Sequence, residues 1–345
     1  MIDFRYHLVS IIAVFLALAV GIVLGAEAIS PQLANKLNNE SLKAAKRNAA
    51  LFAQNNQLKR QISADDAFAQ AASATLLGHL LVGQQVVLVT APGADASTVK
   101  GISSALATAG ATVTGTVALS PQFFDTNSTT ESRLMATAVQ LAPPDVSTAN
   151  NAGTQIAGQQ AAAKVIAAAI MDKPGLTPVS SGLASRILTG FGDGGYLQVT
   201  NSSGGTTNLP GPATLAVVVT PGTTPANPSS LSAENLALVY LTHYLQQLGN
   251  AALLAGSLQG SGNGSAIDAV TSGGAGVAVT TVDNADTVTG QIIVVQALRT
   301  MLEHPGQPAT AYGAGPGAVP SPAPTSQPTP STTPSVKTKK KTVRR

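Results

Sequence analysis

Cysteine is absent from this chain of 345 residues, which removes disulfides, thiolate metal sites and thiol nucleophiles together. The redox state of the compartment therefore leaves no mark on the sequence. Tryptophan is also absent and aromatics make up only 3%, so a core has to be built from Ala, Val, Leu and Ile. Charged residues amount to 10%, and the net charge of +3 misrepresents the body. The last nine residues, KTKKKTVRR, carry six of the nineteen Lys and Arg, leaving thirteen against sixteen acidic residues and a net of −3 for the rest. No GxSxG, HExxH or HxxEH occurs, so hydrolase and zinc-protease chemistry have no local support. No enzymatic activity is expected.

A long apolar run is present, by contrast, in FRYHLVSIIAVFLALAVGIVLGAEA, Phe4 to Ala28. From Leu8 to Ala26 there are nineteen residues without a charge, and at about 1.5 Å per residue such a helix crosses a hydrocarbon core of roughly 30 Å. Arg5 and Ala26-Glu27-Ala28 imitate the two ends of a cleavable export signal. The apolar centre exceeds the roughly 7–15 residues usual for one, and the sequence after Pro31 reads as helix rather than as an extended protease site. The expectation is an uncleaved signal anchor over 1–28, single-pass, in the cell membrane or envelope, with the body outside the cytosol. Lys36, Lys43 and Lys46 oppose Arg5 across the run, so the charge balance alone does not fix sidedness.

Residues 29–82 read as a helical stalk. Leu37, Ala44, Leu51 and Leu58 recur every seven residues, flanked by Ala34, Ser41, Asn48, Asn55 and Ile62. Taken as d and a positions this is a short heptad pattern, in which Asn at a favours a specific low-order assembly at some cost in stability. It predicts a parallel homo-oligomer through 29–62, with a single amphipathic helix on its own domain as the other reading.

From 83 to 304 apolar strands alternate with helices: Gln85–Thr90, a helix over Ser97–Ala109, and Ala111–Leu119, then Leu215–Thr220, a helix over Ala233–Leu248, Ala251–Leu258, a short helix near Ser265–Val270, Gly276–Val282 and a helix over Thr287–Leu302. Between the halves, Glu131–Leu141, Gly153–Met171 and Gly182–Leu188 read as helices and Tyr196–Thr200 as a weak strand. The fold class predicted is α/β, a Rossmann-like three-layer domain with a mostly parallel sheet. Residues 305–345 hold nine of the twenty-one prolines and read as a disordered tail with a basic tip. That tip suits anionic lipid or wall polymer; without interleaved aromatics it does not argue for nucleic acid.

Three loops follow strands and precede helices: Ala91–Asp95, Gly260–Ser265 and Asp283–Asp286. In a parallel sheet these share the edge where ligands bind. Asp95, Ser261, Gly262, Asn263, Asp283 and Asp286 are therefore the candidate ligand-binding residues. Glycine N–H groups beside a helix start can cradle an anion, and the carboxylates can hold a polar ligand or a hard cation. Simple capping and turn formation account for the same residue types. The glycine loop matches neither GxGxxG nor the P-loop.

Several blocks resemble one family. Phe4-Arg5, His7, Val9-Ser10, Ala13–Ala19, Gly21 and Gly25 are similar to the opening of the actinobacterial envelope family known as mycobacterial copper transport protein B (MctB). The likeness continues through the heptad segment, Ser63–Asp66, the strand near Val86, Thr281–Asp286 and Tyr312-Gly313, over roughly residues 1–315. The resemblance implies a membrane-anchored envelope protein linked to copper homeostasis, for which an outer-membrane channel has been proposed. The residues themselves show neither the repeated ten-residue alternating strands nor the aromatic girdles of a membrane barrel. Copper donors are scarce: His7, His79, His243 and His304, with Met1, Met135, Met171 and Met301. Met301 and His304, three apart near a helix end, offer a soft S/N pair; the alternative is a core Met and a histidine at the helix C-terminus. His243 adjoins an apolar stripe and reads as a hydrogen-bonded, partly buried histidine.

The expectation is thus a binding or assembly component in copper homeostasis and efflux. Its rivals are a structural protein that docks an envelope partner without touching copper, and a small-ligand binder at the strand-end loops.

Overall fold

The computed structural model describes residues 4–28, 31–148, 156–201, 211–223, 229 and 231–323. The chain divides into two compact units, Met1–Asp65 and Asp66–Arg345.

The first unit is helical. Helix α1 spans Phe4–Ala28, and within it Tyr6–Gly25 is twenty residues long with a mean hydropathy of 2.9 and no part buried in protein. Nothing in the unit covers these side chains, so their burial has to come from outside it. Helix α2 runs from Pro31 to Leu77, 47 residues; proline's fixed φ suits its first turn. Up to Asp65 its large apolar side chains stand in solvent, with Leu37, Leu51, Leu58 and Ile62 each 52–64% exposed.

The second unit is a seven-stranded sheet in the order β3-β2-β1-β4-β5-β6-β7. Its strands are β1 (Gln85–Thr90), β2 (Thr112–Leu119), β3 (Leu197–Asn201), β4 (Leu215–Val219), β5 (Ala251–Ala255), β6 (Thr280–Val282) and β7 (Ala311–Tyr312). All neighbours are parallel except β2 and β3. The central β4 and β5 are buried at every residue, as strands covered on both faces must be.

Alternation along the strands sorts the core into two layers. Val87, Val89, Val218 and Leu254 face one cluster, built with α4 (Ser128–Leu141), α5 (Ala157–Ile170), α6 (Ser181–Asp193), α7 (Ala233–Leu248) and α8 (Ala266–Thr271). Val86, Leu88, Val217 and Leu253 face the other, built with α3 (Ala96–Thr108) and α9 (Val288–Glu303). Each fully buried Leu, Ile or Val contributes on the order of 1.5–3 kcal/mol of transfer free energy. The result is the helix–sheet–helix sandwich that the strand–helix alternation predicts.

Three features depart from the sequence reading. The stalk assignment runs to residue 82, yet α2 from Asp66 belongs to the second unit: Ala69, Leu77 and Leu81 lie in its core, because apolar side chains there meet a partner. The predicted strand Gly276–Val282 pairs only over Thr280–Val282, since Gly276 adopts φ +71 and turns the chain. The proline-rich segment from 305 is expected to be disordered, but β7 pairs with β6 and Tyr312 is buried. A sheet edge with free ladder groups captures the first segment able to extend beside it. The basic tip, 337–345, lies outside the described residues, as do 153–155 at the start of the helix expected over Gly153–Met171.

Candidate functional site

From β1 the chain moves one way to β2, and from β4 the other way to β5, so the sheet reverses between the carboxyl ends of β1 and β4. This is the switch point where open α/β sheets form a crevice. Two adjoining cavities occupy it. One, of about 520 Å³, is lined by Asp95, Thr98, Thr223, Ser257, Gln259 and Asp286 among others. The second, of about 250 Å³, shares Gly93 and Thr223 with the first and includes Glu234, Asn235 and Gly260.

The parallel sheet brings the three predicted loops to one edge, but only some of their residues reach the crevice. Asp95 does, as the cap of α3: it accepts hydrogen bonds from the Thr98 N–H at 3.3 Å, from Thr98 Oγ1 at 3.2 Å and from the Ser97 hydroxyl. These bonds, that from Ser97 foremost, hold its carboxyl below the usual range. Asp286 also lines the crevice; its surface is exposed, yet surrounding protein removes enough water to push the carboxyl up, with the charges of Asp66 and Asp95 adding to the effect.

Asp283 does not line either cavity. It is buried, and its two oxygens accept the N–H groups of Ala314 at 2.8 Å and Gly315 at 2.9 Å. Ser261 donates to the Leu258 and Asp283 carbonyls at 3.1 and 3.3 Å, and Gly262 and Asn263 are exposed beside it. These four residues build the loop and the turn beyond β7.

Helix starts around the crevice carry side-chain caps. Asp95 caps α3, Ser232 caps α7 with Glu234 in its first turn, and Thr287 caps α9 while Asp66 accepts the Val288 N–H at 3.0 Å. Glu234, Ser257, Gln259 and Thr223 are crevice residues that the sequence reading missed. The signal for them was Thr220-Pro221-Gly222 directly after the strand LAVVV, which gains meaning only once β4 is known to lie beside β1.

Met301 and His304 lie elsewhere. Both line a cavity of about 150 Å³ with Thr280, Gln246 and Lys173, at the edge where β6 begins and α9 ends, opposite the crevice. His304 caps α9 through its N–H, which donates to the Thr300 carbonyl at 2.9 Å. Among the described residues no group of three or more His, Cys, Asp or Glu is placed to hold a metal ion. His243, partly buried, accepts from the Gln247 amide at 2.8 Å, and burial lowers its pKa.

Comparison with known proteins accounts for the combination of an apolar first helix and this α/β body. The family described as "Copper transport outer membrane protein, MctB" matches residues 1–322. The copper transporter MctB of Mycobacterium tuberculosis (strain H37Rv) is 30% identical over 324 residues, covering 91% of this chain and 98% of that protein. The copper transporter MctB of Mycobacterium leprae is 31% identical with the same coverage, and that of Mycobacterium bovis 30% identical. The match runs from the apolar helix through the turn that Asp283 holds, and so takes in both units: the chain belongs to the MctB family of copper transport proteins.

Proposed function

We propose that this protein is a cell-envelope component of copper homeostasis and efflux, held in a bilayer by α1 with its α/β body outside the cytosol, and that it contributes by binding and assembly rather than by catalysis. The observation that carries this reading is the family match over residues 1–322, which takes in both the apolar helix and the α/β body. The covered sheet supports it: strands of two to eight residues with helices on both faces suit a folded body carried by an anchor, not a wall facing lipid.

Assembly through 29–62 follows from the seam Leu37, Ala44, Leu51, Leu58. Chains anchored in one membrane are already co-oriented and concentrated, which favours a parallel pair and offsets the cost of Asn48 and Asn55 at a positions. The basic tip, 337–345, adds attraction to anionic lipid or wall polymer.

Fractionation with protease protection tests the anchor: the expected result is a full-length species in membranes with its body protected on the extracytoplasmic side. A mature chain lacking residues 1–28, or a body digested from the cytosolic side, overturns it. Copper accumulation in cells that lack the protein, reversed by the full chain and not by a version without α1, tests the role.

The switch-point cavity of about 520 Å³ favours a second reading, small-ligand binding. Alanine at Thr223, Gln259 and Asp286 together is expected to abolish ligand-induced thermal shifts; unchanged shifts remove it.

A further inference from the structure

We infer that the switch-point crevice takes a linear aliphatic amine with two or more ammonium groups, held by Glu234 and the side-chain carbonyl of Asn235 in the smaller cavity and by Asp286 in the larger. The inference rests on the small-ligand reading above and gives that ligand a chemical class.

Asn235, in the first turn of α7, is only 8% exposed and lines the smaller cavity. Its side-chain NH2 donates to the Gly264 carbonyl at 2.8 Å and to the Ser229 carbonyl at 3.0 Å. Two carbonyls can be served only by the nitrogen, so the amide cannot be turned over. Oδ1 is then the polar atom left for the cavity, and among the described residues no donor reaches it. The N–H of the cap residue Ser232, which a side chain at this position often takes, goes instead to the Ser229 carbonyl at 3.0 Å. Glu234 lines the same cavity, and its half-buried carboxylate likewise accepts no hydrogen bond among the described residues. Two adjacent open acceptors, one of them anionic, select a ligand that brings N–H donors and positive charge.

The larger cavity has the same sign. Asp95 and Asp286 line it, and among the described residues neither lining contains Lys, Arg or His. Burial first, and then the charges of Asp66 and Asp95, push the Asp286 carboxyl up; a positive group beside it relieves that repulsion. Among the described residues no three acids or histidines converge to hold a metal ion. The crevice therefore serves charges that are spread out rather than one compact cation.

The two cavities, of about 250 and 520 Å³, share Gly93 and Thr223, so one extended ligand can pass between them. Pro92, Pro221 and Ala266 in the smaller one give a methylene chain an apolar wall. Spaced ammonium groups on such a chain match the lining.

The test uses the full chain in detergent, titrated calorimetrically with spermidine at low ionic strength. One-to-one binding is expected, weakening as salt is added, and n-butylamine, with a single ammonium, should bind about tenfold more weakly. Glu234→Gln is expected to weaken spermidine binding about tenfold while raising the thermal midpoint of the free protein at pH 7, an opposition that a merely structural role would not produce. Asp286→Asn should weaken binding by about threefold to fivefold. Asp145→Asn removes an exposed carboxylate that lines neither cavity and should leave binding unchanged. Equal losses in all three variants would mean attraction to net charge alone and overturn the inference, as would spermidine binding no tighter than butylamine. No spermidine binding, with thermal shifts from neutral or anionic small molecules that the Thr223, Gln259 and Asp286 alanine variant abolishes, overturns this inference and leaves the crevice reading standing. No shift with any small molecule removes both.

Discussion

The carboxylate of Asp283 accepts the backbone N–H of Gly315 at 2.9 Å, joining the end of β6 to the turn beyond β7. A Cβ at Gly313, which adopts φ +132, would collide with the same carboxylate, so the glycine and the acid require one another. Asp283→Ala should deprive the N–H groups of Ala314 and Gly315 of their carboxylate acceptor and cost about 1–3 kcal/mol. Hydrogen exchange over 311–319 is the specific readout. Protection there equal to wild type would show that the turn holds without Asp283.

Gly290 offers a sharper steric test. In the first turn of α9, its Cβ would fall on the backbone carbonyl of Asn284, which cannot swing aside as a side chain does. Gly290→Ala should therefore lower the thermal midpoint by several degrees even though alanine is the better helix former by about 1 kcal/mol. A stabilised variant would mean that the loop after β6 is free to move.

Glu234 gives a pH signature. Burial raises its pKa above the ordinary 4.5, so ionisation is harder in the folded protein than in the unfolded chain. Its contribution is most favourable below about 4.5 and is lost as the pH rises through the folded value. Glu234→Gln should be more stable than wild type at pH 7, with the difference closing as the pH falls below that range. Parallel melting curves at all pH values would refute the assignment.

His243 has the opposite sign. Burial depresses its pKa below the ordinary 6.5, so stability present above that pH is lost as the pH falls through the folded value. In thermal melts between pH 8 and 5, wild type should lose stability relative to His243→Gln toward the acid end. A constant offset would show that protonation of this ring is not resisted.

The absence of cysteine provides a clean background for the stalk. With Leu51→Cys as the single thiol, oxidation in membranes should give a covalent dimer within minutes, whereas Ala53→Cys, on the outer face of the heptad, should cross-link far more slowly. Equal rates would contradict a pairing through the seam.

Much of this architecture was legible in the residues. The run Tyr6–Gly25, the β1–α3–β2 unit and the two halves around LAVVV and AALLA could be read from run length, flanking turn residues and the alternation of short apolar runs with longer helical ones. What escaped was set by partners distant in sequence. Nothing in LQVTN announces that β3 lies antiparallel to β2, and a two-residue strand such as Ala311-Tyr312 carries no period at all. Strand order was equally silent, so the approach of Thr223 and Gln259 to Asp95 was not readable. Asp283 is a further case: nothing local to its strand-end loop announces that its carboxylate accepts the N–H groups of Ala314 and Gly315.

The position of β1 also bears on how the chain is made. Translated early, it sits at the centre of the sheet, and one flank is closed only when Leu215–Val219 are available. On the orientation proposed above, a nascent chain threaded outward behind its leading helix keeps VVLV unpaired on that side throughout, and parallel pairings between distant segments form slowly. Passage in that direction would then call for something that shields an apolar strand, and yield should respond to holdase supply more than to the temperature at which the finished molecule melts.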